Sequence, residues 1–327
     1  MHAASVAASA LPTQRLLSFQ QEYTVNFNGI YTPAITPLTA EGSIDKAAFA
    51  EVLEYLIGAG VHGIIIGGST GEYYAHTMQE RIELGAYAKQ VIGTRVPLVI
   101  GTGAIRTEDS VEYAKSAKEI QADAILVGSP PYALPNEQEN AAHAIAVDRA
   151  AGLPVMLYNY PARMGVSMGR EFFRTVTAAS KNFVAIKESS GSTAQLHMLA
   201  REFPNISVSC GWDDQALEFF AWGASSWVCA GSNFLPAEHV ALHQACVVEN
   251  DFRKGRRIMS AMMPLMDFLE DAGKFVQSIK YGSELAGLRS GGVRAPLQPL
   301  DDANKATLKQ IIADVKREIA GVVGGEG

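Results

Sequence analysis

Short, unbroken apolar runs, each closed by glycine or a polar residue, recur along this chain. They are "YTPAITPL" from Tyr31, "GIIIGG" from Gly63, "PLVIGTG" from Pro97, "AILVGS" from Ala124, "PVMLYN" from Pro154, "FVAIKE" from Phe183, "SVSCGW" from Ser207 and "SWVCAGS" from Ser226. A half-exposed strand alternates apolar and polar positions, whereas a strand of a parallel sheet is buried on both faces and reads as a continuous apolar run. The pattern therefore predicts eight parallel strands.

Helical periodicity fills the gaps between them. Thr77 with Glu80 and Ser192 with Gln195 have the spacing of a capping box, in which the side chains at a helix start satisfy otherwise unpaired amides. Val111, Ala114, Ala117 and Ile120 fall on one face of a helix, with lysine and glutamate outside. Eight strand and helix units favour an α/β fold of the (β/α)8 TIM-barrel kind. A doubly wound nucleotide-binding sheet is the alternative, but "GGSTGEYY" after the second strand has neither GxGxxG spacing nor a Walker lysine. Beyond about residue 250 only helical patterns remain. The expected organisation is an N-terminal extension over residues 1–27 and a barrel core over 28–235, with its eighth helix reaching about 250. A C-terminal helical appendage then covers 251–327, with "RSGGVRAPLQPL" as a connecting loop.

Composition narrows the functional classes. With 327 residues, 48% hydrophobic and 19% charged, the chain can bury a large core. A net charge of −7 gives no basic surface for a phosphate backbone, so nucleic acid is not an expected partner. No apolar run is long enough to span a membrane, and residues 1–27 lack the basic and apolar regions of a secretory signal. That stretch is rich in Ala and Ser, with one Arg and no acid before Glu22, which leaves an organelle-targeting reading open. Cys210, Cys229 and Cys246 show no CxxC spacing, and the histidines form no metal-binding cluster with acids. A cytoplasmic, metal-free protein with buried thiols is expected.

In a barrel, polar residues at the carboxyl ends of the strands face a common site. Here these are Ser69 and Thr70, Tyr132, Tyr158 with Arg163, Lys187, and Asp213 with Asp214. Two readings of Lys187 stand: a strand-end lysine paired with Glu188 or reaching solvent, and an imine-forming nucleophile. At neutral pH only roughly one ordinary lysine in a thousand is the free amine, so the second reading needs burial or positive neighbours to lower the pKa. Tyr158 is either a core aromatic or a proton shuttle beside that lysine. Ser69 and Thr70 either cap a turn or cradle a carboxylate. Arg163 is either a surface charge or a bidentate carboxylate clamp. Asp213 and Asp214 suit a helix start as well as a site, and Glu72 is expected to anchor neighbouring backbone amides.

Taken in order, "GGSTGE", "GSPPYALP", "YNYPARMG", "AIKESSG" and "GWDD" resemble the dihydrodipicolinate synthase and N-acetylneuraminate lyase family of class I aldolases, from about Gly29 to Leu300. The resemblance implies that Lys187 forms a Schiff base with a 2-keto acid such as pyruvate and that Tyr158 transfers protons. It also implies that Ser69 and Thr70 hold the keto-acid carboxylate and assist the relay. Tyr132 would complete the relay of a neighbouring subunit in a homotetramer built as a dimer of dimers. Gly68, Arg163, Ser189, Gly211, Asp213, Asp214 and Val228 would contact substrate, with no cofactor beyond the covalent imine.

Several residues depart from the synthase pattern. Ser69 stands where typical synthases carry threonine, Pro131 replaces a tyrosine, and "CGWDD" carries an aromatic as in neuraminate lyases. "EYYAHTM" and "GAIRTED" lack the residues expected of a lysine feedback site, while Arg163 is synthase-like. The expected activity is therefore an imine-forming lyase, 4-hydroxy-tetrahydrodipicolinate synthase-like. The alternatives are an aldolase of 2-keto-3-deoxy sugar acids or N-acetylneuraminate, an imine-dependent dehydratase or deaminase, and, from another class, a non-catalytic metabolite-binding barrel.

Overall fold

The computed structural model describes residues 25–271 and 273–325. Eight strands form a closed barrel: β1 (Gly29–Pro33), β2 (Gly63–Ile66), β3 (Leu98–Gly101), β4 (Ala124–Gly128), β5 (Val155–Asn159), β6 (Phe183–Glu188), β7 (Ser207–Cys210) and β8 (Ser226–Val228). Every neighbouring pair is parallel, and Ile30 of β1 lies opposite Trp227 of β8, which closes the ring. The extension expected over residues 1–27 falls almost wholly outside the described residues.

The apolar runs are unbroken because each strand has two buried faces. Tyr31, Ile65, Val99, Met156, Ala185 and Val228 fill the barrel interior. Their neighbours in sequence, such as Ile30, Ile64, Leu157, Ile186 and Trp227, pack outward against the helices. At the amino-terminal end Phe27 closes the interior, and its carbonyl accepts hydrogen bonds from Ser207 and Ser225.

Helices begin where the capping residues predict. Thr77 Oγ1 accepts from the Glu80 amide at 3.2 Å, and Glu80 Oε2 accepts from the Thr77 amide at 2.8 Å, completing the box. At the second expected box, Ser192 Oγ accepts from the Gln195 amide, but the reciprocal bond is not made. The Gln195 side chain instead donates to the Met168 carbonyl at 2.7 Å, tying its helix to the segment after β5.

Helices Phe252–Asp271, Phe275–Leu285 and Asp302–Gly324 follow the barrel. Ile258, Met262, Leu265, Leu308 and Ile312 join the apolar core that surrounds the strands, so these helices are packed onto the barrel. Phe275–Leu285 lies against the turn after β2 and thereby reaches the carboxyl end of the barrel.

Candidate active site

Strands β5 and β6 run side by side with Tyr158 opposite Lys187 and Asn159 opposite Glu188. Alternation sends the first pair inward and the second outward. Outside, Asn159 Nδ2 donates to Glu188 Oε2 at 2.8 Å, while Asn159 Oδ1 accepts from the Met168 amide. Glu188 also accepts from the Ser190 amide at 2.7 Å. The outward pair thus locks the ends of two strands, and Glu188 is not the partner of Lys187. Inside, Lys187 Nζ lies 4.4 Å from the centroid of the Tyr158 ring.

Burial lowers the pKa of the Lys187 amine below its ordinary value, opposed by the charge of Asp213 and assisted by that of Arg163. The same burial raises the Asp213 carboxyl to about 7, against the pull of the Trp227 indole and of Lys187. Trp227 Nε1 donates to Asp213 Oδ1 at 2.8 Å, which directs the carboxylate to its place beside the lysine. Asp213 is therefore a buried neighbour of the amine, and its side chain caps no helix. Desolvation also pushes the Tyr158 phenol up to about 12, moderated by Arg163 and by hydrogen bonding to Ser69 and Ser189. A phenol in that state is protonated and can donate.

Space around the lysine depends on Gly211. A Cβ there would fall on Ser189 Oγ and within 2.6 Å of Lys187 Cγ. Ser189 in turn donates to the Gly211 carbonyl at 2.8 Å, so β6 and β7 are cross-linked just above the amine. Val228, on the inner face of β8, is buried in the barrel interior.

After β2 the chain turns through the 3-10 segment Ser69–Gly71, preceded by buried Gly68. Thr70 is buried, and Ser69 is half-buried on the side of Tyr158. Glu72 ends this turn in a left-handed conformation and is fully buried. Its side chain anchors distant groups in place of the expected neighbouring amides: Lys280 lies 2.6 Å from Oε1, and the Arg294 amide donates to Oε2 at 3.0 Å. Lys280 sits on the apolar face of its helix, four residues after Val276, and a lysine at such a position is the sequence signal for this pair.

Arg163 occupies the short helix Pro161–Met164 at the mouth of the barrel. Its guanidinium lies 5.2 Å from the Tyr160 ring and 5.7 Å from the Phe275 ring, in cation–π geometry. Tyr160 also meets Trp212 edge-on at 6.2 Å, so the mouth has an aromatic wall of which the sequence reading recognised only the Trp212 part. Asp214 is half-buried, with Asp267 and Glu218 as its charged neighbours, and its Oδ1 has no protein partner among the described residues. Tyr132 stands apart: it is 91% exposed, at a φ of 72°, and does not join the site of its own chain.

The sequence model of the Dihydrodipicolinate synthetase family matches residues 26–315. A 4-hydroxy-tetrahydrodipicolinate synthase of Exiguobacterium sibiricum is 36% identical over 91% of this chain and 100% of its own. The enzyme of that name from Methylacidiphilum fumariolicum has a solved structure that superposes with a TM-score of 0.87 at 30% identity, covering 91% of this chain and 99% of its own. YagE of Escherichia coli K12, a putative 2-dehydro-3-deoxy-D-gluconate aldolase, is 31% identical over 89% of this chain and 97% of its own. Its solved structure in complex with pyruvate superposes with a TM-score of 0.84, covering 89% of this chain and 99% of its own.

Proposed function

The chain belongs to the dihydrodipicolinate synthetase family, and we propose that it makes or breaks a carbon–carbon bond through an imine between Lys187 and a 2-keto acid such as pyruvate. The observation that carries this reading is the position of Lys187: an amine on the inner face of β6, desolvated, 4.4 Å from the Tyr158 ring and beside Asp213.

In this reading the neutral amine adds to the keto carbon, and the carbinolamine loses water to give a protonated imine. Tyr158, hydrogen-bonded to Ser69, supplies and removes the protons that these steps require. Ser69, Thr70 and the backbone amides of their turn hold the keto-acid carboxylate. The imine then withdraws electrons from the methyl carbon. Loss of a proton gives an enamine that adds to an aldehyde, and hydrolysis returns Lys187; cleavage is the same sequence reversed. Binding of the keto acid needs no cofactor in this scheme.

Arg163 hydrogen-bonds the Tyr160 hydroxyl and acts on Lys187 and Tyr158 from the mouth. A guanidinium held there by a phenol rather than a carboxylate suits an acceptor bearing a second carboxylate, as in 4-hydroxy-tetrahydrodipicolinate synthase chemistry. The unpartnered buried oxygen of Asp214, two residues after Trp212 in sequence, favours a second reading in which a hydroxylated acid is the substrate, as the name of YagE suggests. The 91% exposure of Tyr132 and the 60% exposure of Leu134 support assembly of the chain with copies of itself, the phenol entering a neighbouring site. Three free, buried cysteines suit a reducing compartment, and the cytoplasm is the proposed location.

Borohydride reduction in the presence of pyruvate, followed by peptide mapping, tests the reading. Wild-type protein should gain the mass of reduced pyruvate at Lys187, and Lys187→Ala should gain none. A label on another lysine, or no label in folded wild-type protein with any 2-keto acid, contradicts it.

A further inference from the structure

Lys187 shares its layer of the barrel with two serines. Its register partner on β7 is Ser209, whose partner on β8 is Ser226. All three face inward: Ala185 and Val228, two positions along β6 and β8, line the interior, and Ser207 reaches the Phe27 carbonyl at 3.4 Å. The intervening Ile186, Val208, Cys210 and Trp227 pack against the helices.

Ser209 and Ser226 are both fully buried, and neither hydroxyl has a partner among the described residues. A buried hydroxyl without a partner is uncommon in a native protein. Two on adjacent inward-facing positions, with the short side chains of Ala185 and Ser207 two positions before Lys187 and Ser209 along β6 and β7, form a polar setting of the kind in which internal water is held. The lysine next to them in register is, with Tyr158, the ionisable group that β5 to β8 bring to this level of the barrel.

We propose that Ser209 and Ser226 hold an internal water against the Lys187 amine from within the barrel, and that Ser209 is thereby a positioning residue for imine formation. The inference rests on the reading of Lys187 as the imine-forming residue. The water accepts a hydrogen bond from the ammonium form and offsets part of its desolvation. Once the amine is neutral, the same water takes one of its N–H bonds and leaves the lone pair directed at the mouth. The other groups facing the amine are the Tyr158 ring from β5, Asp213 from the segment after β7, Cys229 after β8, and Arg163 with Tyr160 from the mouth. None of them is bonded to the Ser209 hydroxyl.

Ser209→Val and Ser209→Thr have nearly the same shape, and only the second keeps a hydroxyl. The measurement is the pH dependence of pyruvate-dependent borohydride labelling at Lys187. In Ser209→Val the charged amine loses its partner, so the acid limb should move to lower pH by about one unit, the size of one hydrogen bond to a charged group. Ser209→Thr should follow the wild-type profile, and Ser226→Val should shift in the same direction as Ser209→Val. It also carries the test if Ser209→Val fails to fold. A crystal structure of the wild-type protein should show a water within hydrogen-bonding distance of Ser209 Oγ and Lys187 Nζ. Coincident profiles for the valine and threonine variants, or dry hydroxyls in the crystal, overturn the inference while leaving the imine intact. Absence of labelling at Lys187 in the wild type removes the imine reading itself and this inference with it.

Discussion

Lys280, on the C-terminal helix Phe275–Leu285, holds its Nζ 2.6 Å from Oε1 of Glu72, the residue that ends the Ser69–Gly71 turn. Both side chains are almost fully buried, and Lys280 also donates to the Gly292 carbonyl at 2.6 Å. Through this pair the helical appendage fixes the loop on which Ser69 and Thr70 are carried. Removing one partner leaves the other charge buried and uncompensated, at a cost of roughly 3–5 kcal/mol. Glu72→Gln and Lys280→Met should each lower the urea midpoint and the turnover rate, and the double variant should lose less than the two single losses added. Strict additivity in the double-mutant cycle would show that the pair is not coupled.

Tyr158→Phe tests the proton relay separately from the covalent step. The variant keeps the ring beside Lys187 and loses the hydroxyl that meets Ser69 and Ser189. Turnover should fall by about 10²–10⁴-fold, the usual contribution of a general acid–base group, while borohydride still traps some adduct at Lys187. Wild-type turnover in this variant would remove Tyr158 from the relay.

Arg163→Ala tests the acceptor. The guanidinium stands at the mouth and also acts on Lys187 and Tyr158, so its loss should alter pyruvate-dependent labelling to some extent but raise the KM of an acceptor bearing a carboxylate more. Equal losses for the two substrates would end the case for a clamp.

Three buried histidines give the fold a predictable acid sensitivity. Burial pushes the imidazoles of His143, His239 and His243 each down to about 4. In the unfolded chain they protonate near 6.5, so it is the unfolded state that takes up protons first as pH falls. Their contribution to stability is full above about 6.5 and is lost as pH falls towards 4. For His239, which is fully buried, this amounts to about 3 kcal/mol. The urea midpoint should therefore decline between pH 7 and 4.5, less steeply in His239→Gln. An identical slope in that variant would mean that His239 titrates normally.

Strand positions were legible because burial on both faces of a parallel sheet leaves only apolar residues. Where that rule breaks, at Tyr158, Asn159, Lys187 and Glu188, the exceptions mark the site end of two strands. Their division of labour was not legible. Whether Lys187 pairs with Glu188 depends on strand register, which sets the glutamate outside with Asn159 and the lysine inside with Tyr158. Asp213 likewise read as well for a helix start, until the Trp227 indole, fourteen residues later and on the next strand, was found to hold its carboxylate.

By itself the sequence determined the period of the elements and the chemistry available at each strand end, since local propensity, capping and burial act over a few neighbouring residues. The tertiary structure alone decided which of those groups meet. Glu72 with Lys280 and Arg163 with Phe275 are brought together across more than a hundred residues by closure of the barrel and packing of the last helices. The same closure removes water from Lys187 and Asp213, and desolvation, a property of the assembled fold, is what moves their proton affinities.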